Sequence, residues 1–138
     1  MPNLSGTFEV LGGGEEAYRE DPAGPRLTHA KGTQRFGGGI EGDGSVDWLV
    51  CYRPDKTARF VGLQRIDGRI GDRTGSFVLE ATSTHDGKAS TGTWAVIPGT
   101  GTGGLAGITG KGGFEAPGGP KVQYHLDYEI GEASGPSA

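Results

Sequence analysis

The chain has 138 residues, 29 of them glycine, one cysteine and a formal net charge of −4. That length suits one domain, large enough to bury a core without covalent staples. The glycines follow no three-residue period, which excludes collagen. The mild acidity without a basic block excludes the electrostatic footprint of a nucleic-acid binder. No apolar run reaches the length of a membrane-spanning helix.

In chain order, Met1-Pro2-Asn3-Leu4-Ser5 lacks a basic segment followed by an apolar one, so no signal peptide is expected and a cytoplasmic protein is. Ser5 to Leu11 reads as a first strand, with Phe8 and Val10 on one face. Residues 12–26 read as a long Gly/Pro-rich connection, in which Gly14 to Glu20 has at best one or two helical turns before Asp21-Pro22. Leu27 to Phe36 is a polar second strand, Gly37 to Gly39 a turn, and Ile40 to Tyr52 a long third strand bent at Gly42 and Gly44. Pro54-Asp55-Lys56 reads as a tight turn, Thr57 to Ile66 as the fourth strand, and Asp67-Gly68 as a hairpin signal.

Arg69 to Thr84 carries the fifth strand, His85-Asp86-Gly87 a turn, and Lys88 to Ile97 the sixth strand. A glycine-threonine loop, Pro98 to Gly104, precedes a short helical turn or strand at Leu105 to Ile108. Lys111 to Glu115 is the seventh strand and Pro117 to Pro120 a turn. Val122 to Ile130 is the eighth, with Val122, Tyr124, Leu126, Tyr128 and Ile130 alternating strictly with polar residues. The sum is an all-β fold, a small closed antiparallel barrel of about eight strands. It forms a single domain over residues 1–131, with a flexible tail at 132–138.

The chemistry-bearing residues are sparse. The lone Cys51, inside Trp48-Leu49-Val50-Cys51-Tyr52, reads as a buried inert thiol. Gly99-Thr100-Gly101-Thr102-Gly103-Gly104 matches a dinucleotide fingerprint by letter, but no helix follows to receive a pyrophosphate, so it reads as a crossover. His29, His85 and His125 have no metal-ligand spacing. Gln64 shares a strand face with Phe60, Gly62 and Ile66; Glu80 shares one with Ser76, Val78 and Thr82. If those faces point inward, Glu80 becomes a carboxylate of raised pKa in a low-dielectric cavity; otherwise it faces water. Tyr52, in register with Trp48 and Val50, could offer a phenol to the interior or simply pack. Asp127, between Leu126 and Tyr128, falls on a polar face.

Several runs resemble the bacterial DUF3224 family. They are Phe60 to Ile66, Gly71 to Leu79, Val96 to Ile108, and Leu126-Asp127-Tyr128, in that order. The resemblance implies a barrel similar to that of allene oxide cyclase, but no established reaction. Against the family pattern, Gln64 stands where a glutamate is usual, and Glu80-Ala81 where a Gln-His pair is usual. Two readings follow. One is a cofactor-free isomerase or cyclase acting on an apolar substrate inside the barrel. In it Glu80 serves as base, Gln64 as a carbonyl-binding group and Tyr52 as an oxyanion donor. The other is a non-catalytic binder of a lipophilic molecule, or a structural protein with a filled core. In either binding reading the ligand contacts are Trp48, Phe60, Phe77, Trp94, Tyr128 and Asp127. A homo-oligomer is compatible with the outward apolar residues.

Overall fold

A computed structural model describes residues 2–20, 22–117 and 121–131. Eight strands follow in order: β1 (Asn3–Glu20), β2 (Arg26–Gly38), β3 (Glu41–Tyr52), β4 (Ala58–Ile70), β5 (Arg73–His85), β6 (Ser90–Val96), β7 (Ile108–Ala116) and β8 (Lys121–Ile130). Each pairs antiparallel with its neighbours in sequence, and β1 with β8 closes the barrel. The expected fold class is therefore the observed one. The alternation that drives it is cleanest in β8, where Val122, Tyr124 and Leu126 are buried while Gln123, His125 and Asp127 are exposed. Closure pairs most strand edges and turns one face of each strand toward a common interior.

Three expectations are corrected. Residues 12–20 are not a connection with helical character; β1 continues through them to Glu20, paired with β2. Asp67-Gly68 does not make a hairpin; both lie inside β4, and the chain reverses at Gly71, whose φ of 64° suits glycine. Cys51 is only partly buried, on the outward face of β3. A short 3₁₀ turn, Gly103–Leu105, precedes β7. The Pro117–Pro120 turn lies mostly, and the 132–138 tail wholly, outside the described residues.

The two ends of the barrel differ. The end carrying the β2–β3, β4–β5 and β6–β7 connections is plugged by Ile40, Ile66, Ile70, Leu105 and Ile108, none more than 5% exposed. Tyr124 locks this end: its hydroxyl donates to the Gly37 carbonyl at 2.7 Å and accepts the Ile40 N–H at 2.9 Å. The glycine-threonine crossover seals the flank. Where β6 leaves β5, Thr102 exchanges hydrogen bonds with Ser76, and Thr100 Oγ1 accepts the Val78 N–H at 3.0 Å. A side chain at Gly75 would put its Cβ 1.9 Å from the Thr102 carbonyl, so this close approach requires glycine. Above the plug, Phe8, Phe36, Trp94, Phe114 and Tyr124 pack ring against ring, with centroids 4.8 to 6.3 Å apart.

Candidate functional site

The opposite end, with the β1–β2, β3–β4, β5–β6 and β7–β8 connections, fully buries only smaller inward side chains among the described residues: Thr28, Val50, Ala58 and Ser83. Its inward positions include Trp48 and Tyr52 on β3, Phe60 on β4, His85 on β5 and Ser90 on β6, all only partly buried. Trp48 and Phe60 meet edge to face at 5.6 Å.

Beneath them runs a polar relay. Gln64 is 1% exposed; its carbonyl accepts the Trp94 indole N–H at 3.1 Å and its amide donates to the Gln34 carbonyl at 2.7 Å. Burying three polar groups in an aromatic barrel is tolerable only because each bond satisfies a group that would otherwise lose its water. The arrangement makes a floor rather than a channel: below it the interior is filled, above it aromatic surface remains accessible.

At the rim, Glu15 shares the inward face of β1 with its partner Ala30. Its carboxylate accepts hydrogen bonds from Thr28 at 2.6 Å and Tyr52 at 2.5 Å, and Arg26 lies over the Tyr52 ring at 5.5 Å. Burial pushes the Tyr52 phenol up to about 12, aided by its bond to Glu15 and that carboxylate's charge. Burial opposes ionisation of Glu15 too, but the two hydroxyl donors and the Arg26 charge outweigh it and hold its carboxyl below the usual range. The rim therefore presents a phenol, a carboxylate and a guanidinium above an aromatic wall.

The residues singled out from sequence divide. Gln64, Tyr52, Trp48 and Phe60 lie on inward faces, the last three toward the open end. Trp94, 2% exposed, joins the floor; Phe77, 1% exposed, belongs to the plugged half; Tyr128 packs half-buried on the core. Glu80 does not face the interior. It pairs with Leu63 on β4 and is exposed on the outer surface, while Phe77, Leu79 and Ala81 take the inward face of β5. Asp127 is likewise outward and exposed. The two carboxylates instead line one outer groove of about 700 Å³, with Val96, Ile97, Pro98 and Lys111. A second groove of about 410 Å³ crosses the outer face over Leu49, Val61 and Leu63. Sequence reasoning missed Glu15, Thr28 and Gln34. Glu15 sat in a segment with helical propensity, and β2 is polar on both faces, so neither gave a signal.

Among the described residues, no three His, Cys, Asp or Glu side chains gather as metal ligands would, and no helix is long and apolar enough to cross a membrane.

Comparison with known proteins gives a family without a reaction. Among curated proteins nothing matches. A solved structure from Shewanella oneidensis MR-1, a protein of unknown function from the DUF3224 family, superposes with a TM-score of 0.82 at 25% identity, covering 96% of this chain and 99% of that one. The family described as "Protein of unknown function (DUF3224)" matches residues 4–128, from the first strand to the last. The chain belongs to the DUF3224 family.

Proposed function

We propose that the protein binds a small, mainly apolar molecule in the open half of its barrel, with the ligand's polar end at the Glu15–Tyr52–Thr28 rim. The observation that carries this reading is the asymmetry of the interior. One end is plugged by aliphatic side chains, while Trp48 and Phe60 at the other keep accessible aromatic surface on an inward face. Sites for small ligands combine such apolar walls with a few convergent polar groups. Binding without acid–base chemistry is the simpler form of this reading, because Glu80 lies outside the barrel. If a reaction does occur, the carboxylate on the inward face at that end is Glu15. The ionised state favoured there suits it to accept a proton or to orient a substrate donor.

The test is native mass spectrometry of the purified protein, alone and with medium- and long-chain fatty acids and isoprenoid alcohols. The expected result is a one-to-one complex that weakens at least tenfold in Trp48→Ala and Phe60→Ala and survives Glu80→Gln. A second reading has its own observation, the large outer groove that holds Glu80, Lys111 and Asp127 over apolar walls. Binding lost in Glu80→Gln and kept in Trp48→Ala would move the site there.

A further inference from the structure

β1 has two edges in different circumstances. One pairs with β2 from Gly6 to Glu20; the other pairs with β8 only from Asn3 to Glu9. From Val10 to Glu20 the second edge has no strand partner among the described residues, and every residue along it is exposed. Such an edge offers a row of unpaired N–H and C=O groups to another strand. Proteins that keep an edge single shorten it, charge it or bulge it, and this one carries Glu15, Glu16, Arg19, Glu20 and two irregularities. This edge is long, and three of the six large exposed apolar side chains of the described residues, Val10, Leu11 and Tyr18, lie on it.

Their positions are symmetric. Val10 and Leu11 precede the run Gly12-Gly13-Gly14, and Ala17 and Tyr18 follow Glu15-Glu16. The two register irregularities of the β1–β2 pairing, at Val10/Gly12 and Ala17/Arg19, also flank this centre. We propose that the free edge of β1 is completed by the same segment of a second copy of this chain, running antiparallel about a two-fold axis at Gly14. A two-fold interface sets residue i against j and j against i. Centred on Gly14, it sets Leu11 against Ala17 and Val10 against Tyr18. Glu15 and Glu16 meet Gly13 and Gly12. Centred on Glu15 or Glu16, the same pairing would set a glutamate against its own copy, which is unfavourable between directly opposed like charges. The glycines thus serve as neutral partners for an acidic pair. The inference is independent of whether the barrel holds a ligand.

The experiment uses the full chain. Sedimentation equilibrium of the wild type should give twice the chain mass. Leu11→Lys combined with Tyr18→Lys should give a monomer with an unchanged β-sheet circular dichroism spectrum, since both side chains are exposed in the single chain. A direct probe is Gly14→Cys in a Cys51→Ser background. A Cβ at Gly14 meets nothing within 4 Å, so the variant should fold. Mild oxidation should join two chains through residue 14, while Glu20→Cys, far from the axis, should not cross-link. A wild type that stays monomeric at high concentration overturns the proposal. So does a dimer that survives both lysines and resists cross-linking at residue 14, which would point to the outer face of Leu49, Val61 and Leu63 instead.

Discussion

Gln64 illustrates how one buried side chain can be held by geometry rather than by hydrophobicity. It is nearly inaccessible, yet it satisfies the Trp94 indole and Gln34 at once. Gln64→Leu would improve the apolar match and still destabilise, because the Trp94 N–H loses its partner inside the barrel. Each unsatisfied buried group costs about 1–3 kcal/mol. A urea midpoint that rises in Gln64→Leu would show that water reaches the indole. Gln64→Glu separates charge from shape. Its neutral acid can still accept from the indole, but desolvation would raise the folded pKa above the unfolded one. Its stability relative to the wild type is therefore retained below about pH 4 and lost as pH rises through the raised folded value. Unfolding curves on both sides of that window check the sign. At the rim the same logic applies to Tyr52, whose folded pKa of about 12 exceeds its ordinary 10.0. The stabilising contribution is present below 10.0 and is lost as pH climbs toward the folded value. Ultraviolet titration of the phenols should show this late ionisation. Because burial is the larger cause, Glu15→Gln should bring it down only part of the way.

At the scale of the element, glycines in strands have opposite meanings according to what faces them. A Cβ at Gly92 would lie 2.2 Å from the Phe114 ring and 2.7 Å from the Thr82 carbonyl, whereas at Gly14 it meets nothing. Gly92→Ala is expected to destabilise by about 1–3 kcal/mol through overpacking. Gly14→Ala is expected to be neutral or to stabilise by up to about 1 kcal/mol by restricting the unfolded chain. Equal effects in denaturant unfolding would contradict the close packing of β6 on β7. The contrast also shows what the sequence could reveal of the elements. β8 is legible because one face packs and the other meets water. β5 is not, because the crossover buries Ser76 on the outside while Phe77 is buried on the inside, so the alternation that would assign Glu80 its side is erased. β1 was hidden by local preference: glycines and a Glu-Glu-Ala-Tyr-Arg-Glu run favour a loop or a helical turn, and only pairing with β2 makes them a strand. Asp67-Gly68 resembles a hairpin turn, yet Ile66 and Ile70 on either side are both buried and keep the period of two running through it.

For the whole molecule, the proposed binding treats the barrel as a cup. Polar relay, aromatic layer and aliphatic plug follow one another from the open end to the closed one, so the same kind of truncation should have different consequences along a single strand. β4 offers the comparison, since Phe60, Gln64 and Ile66 all point inward from it. Ile66 is 0% exposed among the plug residues, and Ile66→Ala should leave a cavity that its neighbours cannot fill. Such a deletion costs about 2–5 kcal/mol. Phe60 is the larger side chain, and in a uniformly filled core its loss would cost at least as much. Here it borders the open half and is only partly buried, so Phe60→Ala should destabilise less than Ile66→Ala while weakening ligand binding more. Denaturant unfolding of the two variants, read beside their ligand affinities, therefore tests the cup directly. If Phe60→Ala proves the more damaging to stability and has no effect on binding, the open end is itself part of the core. The molecule would then have to exert its function from an outer surface.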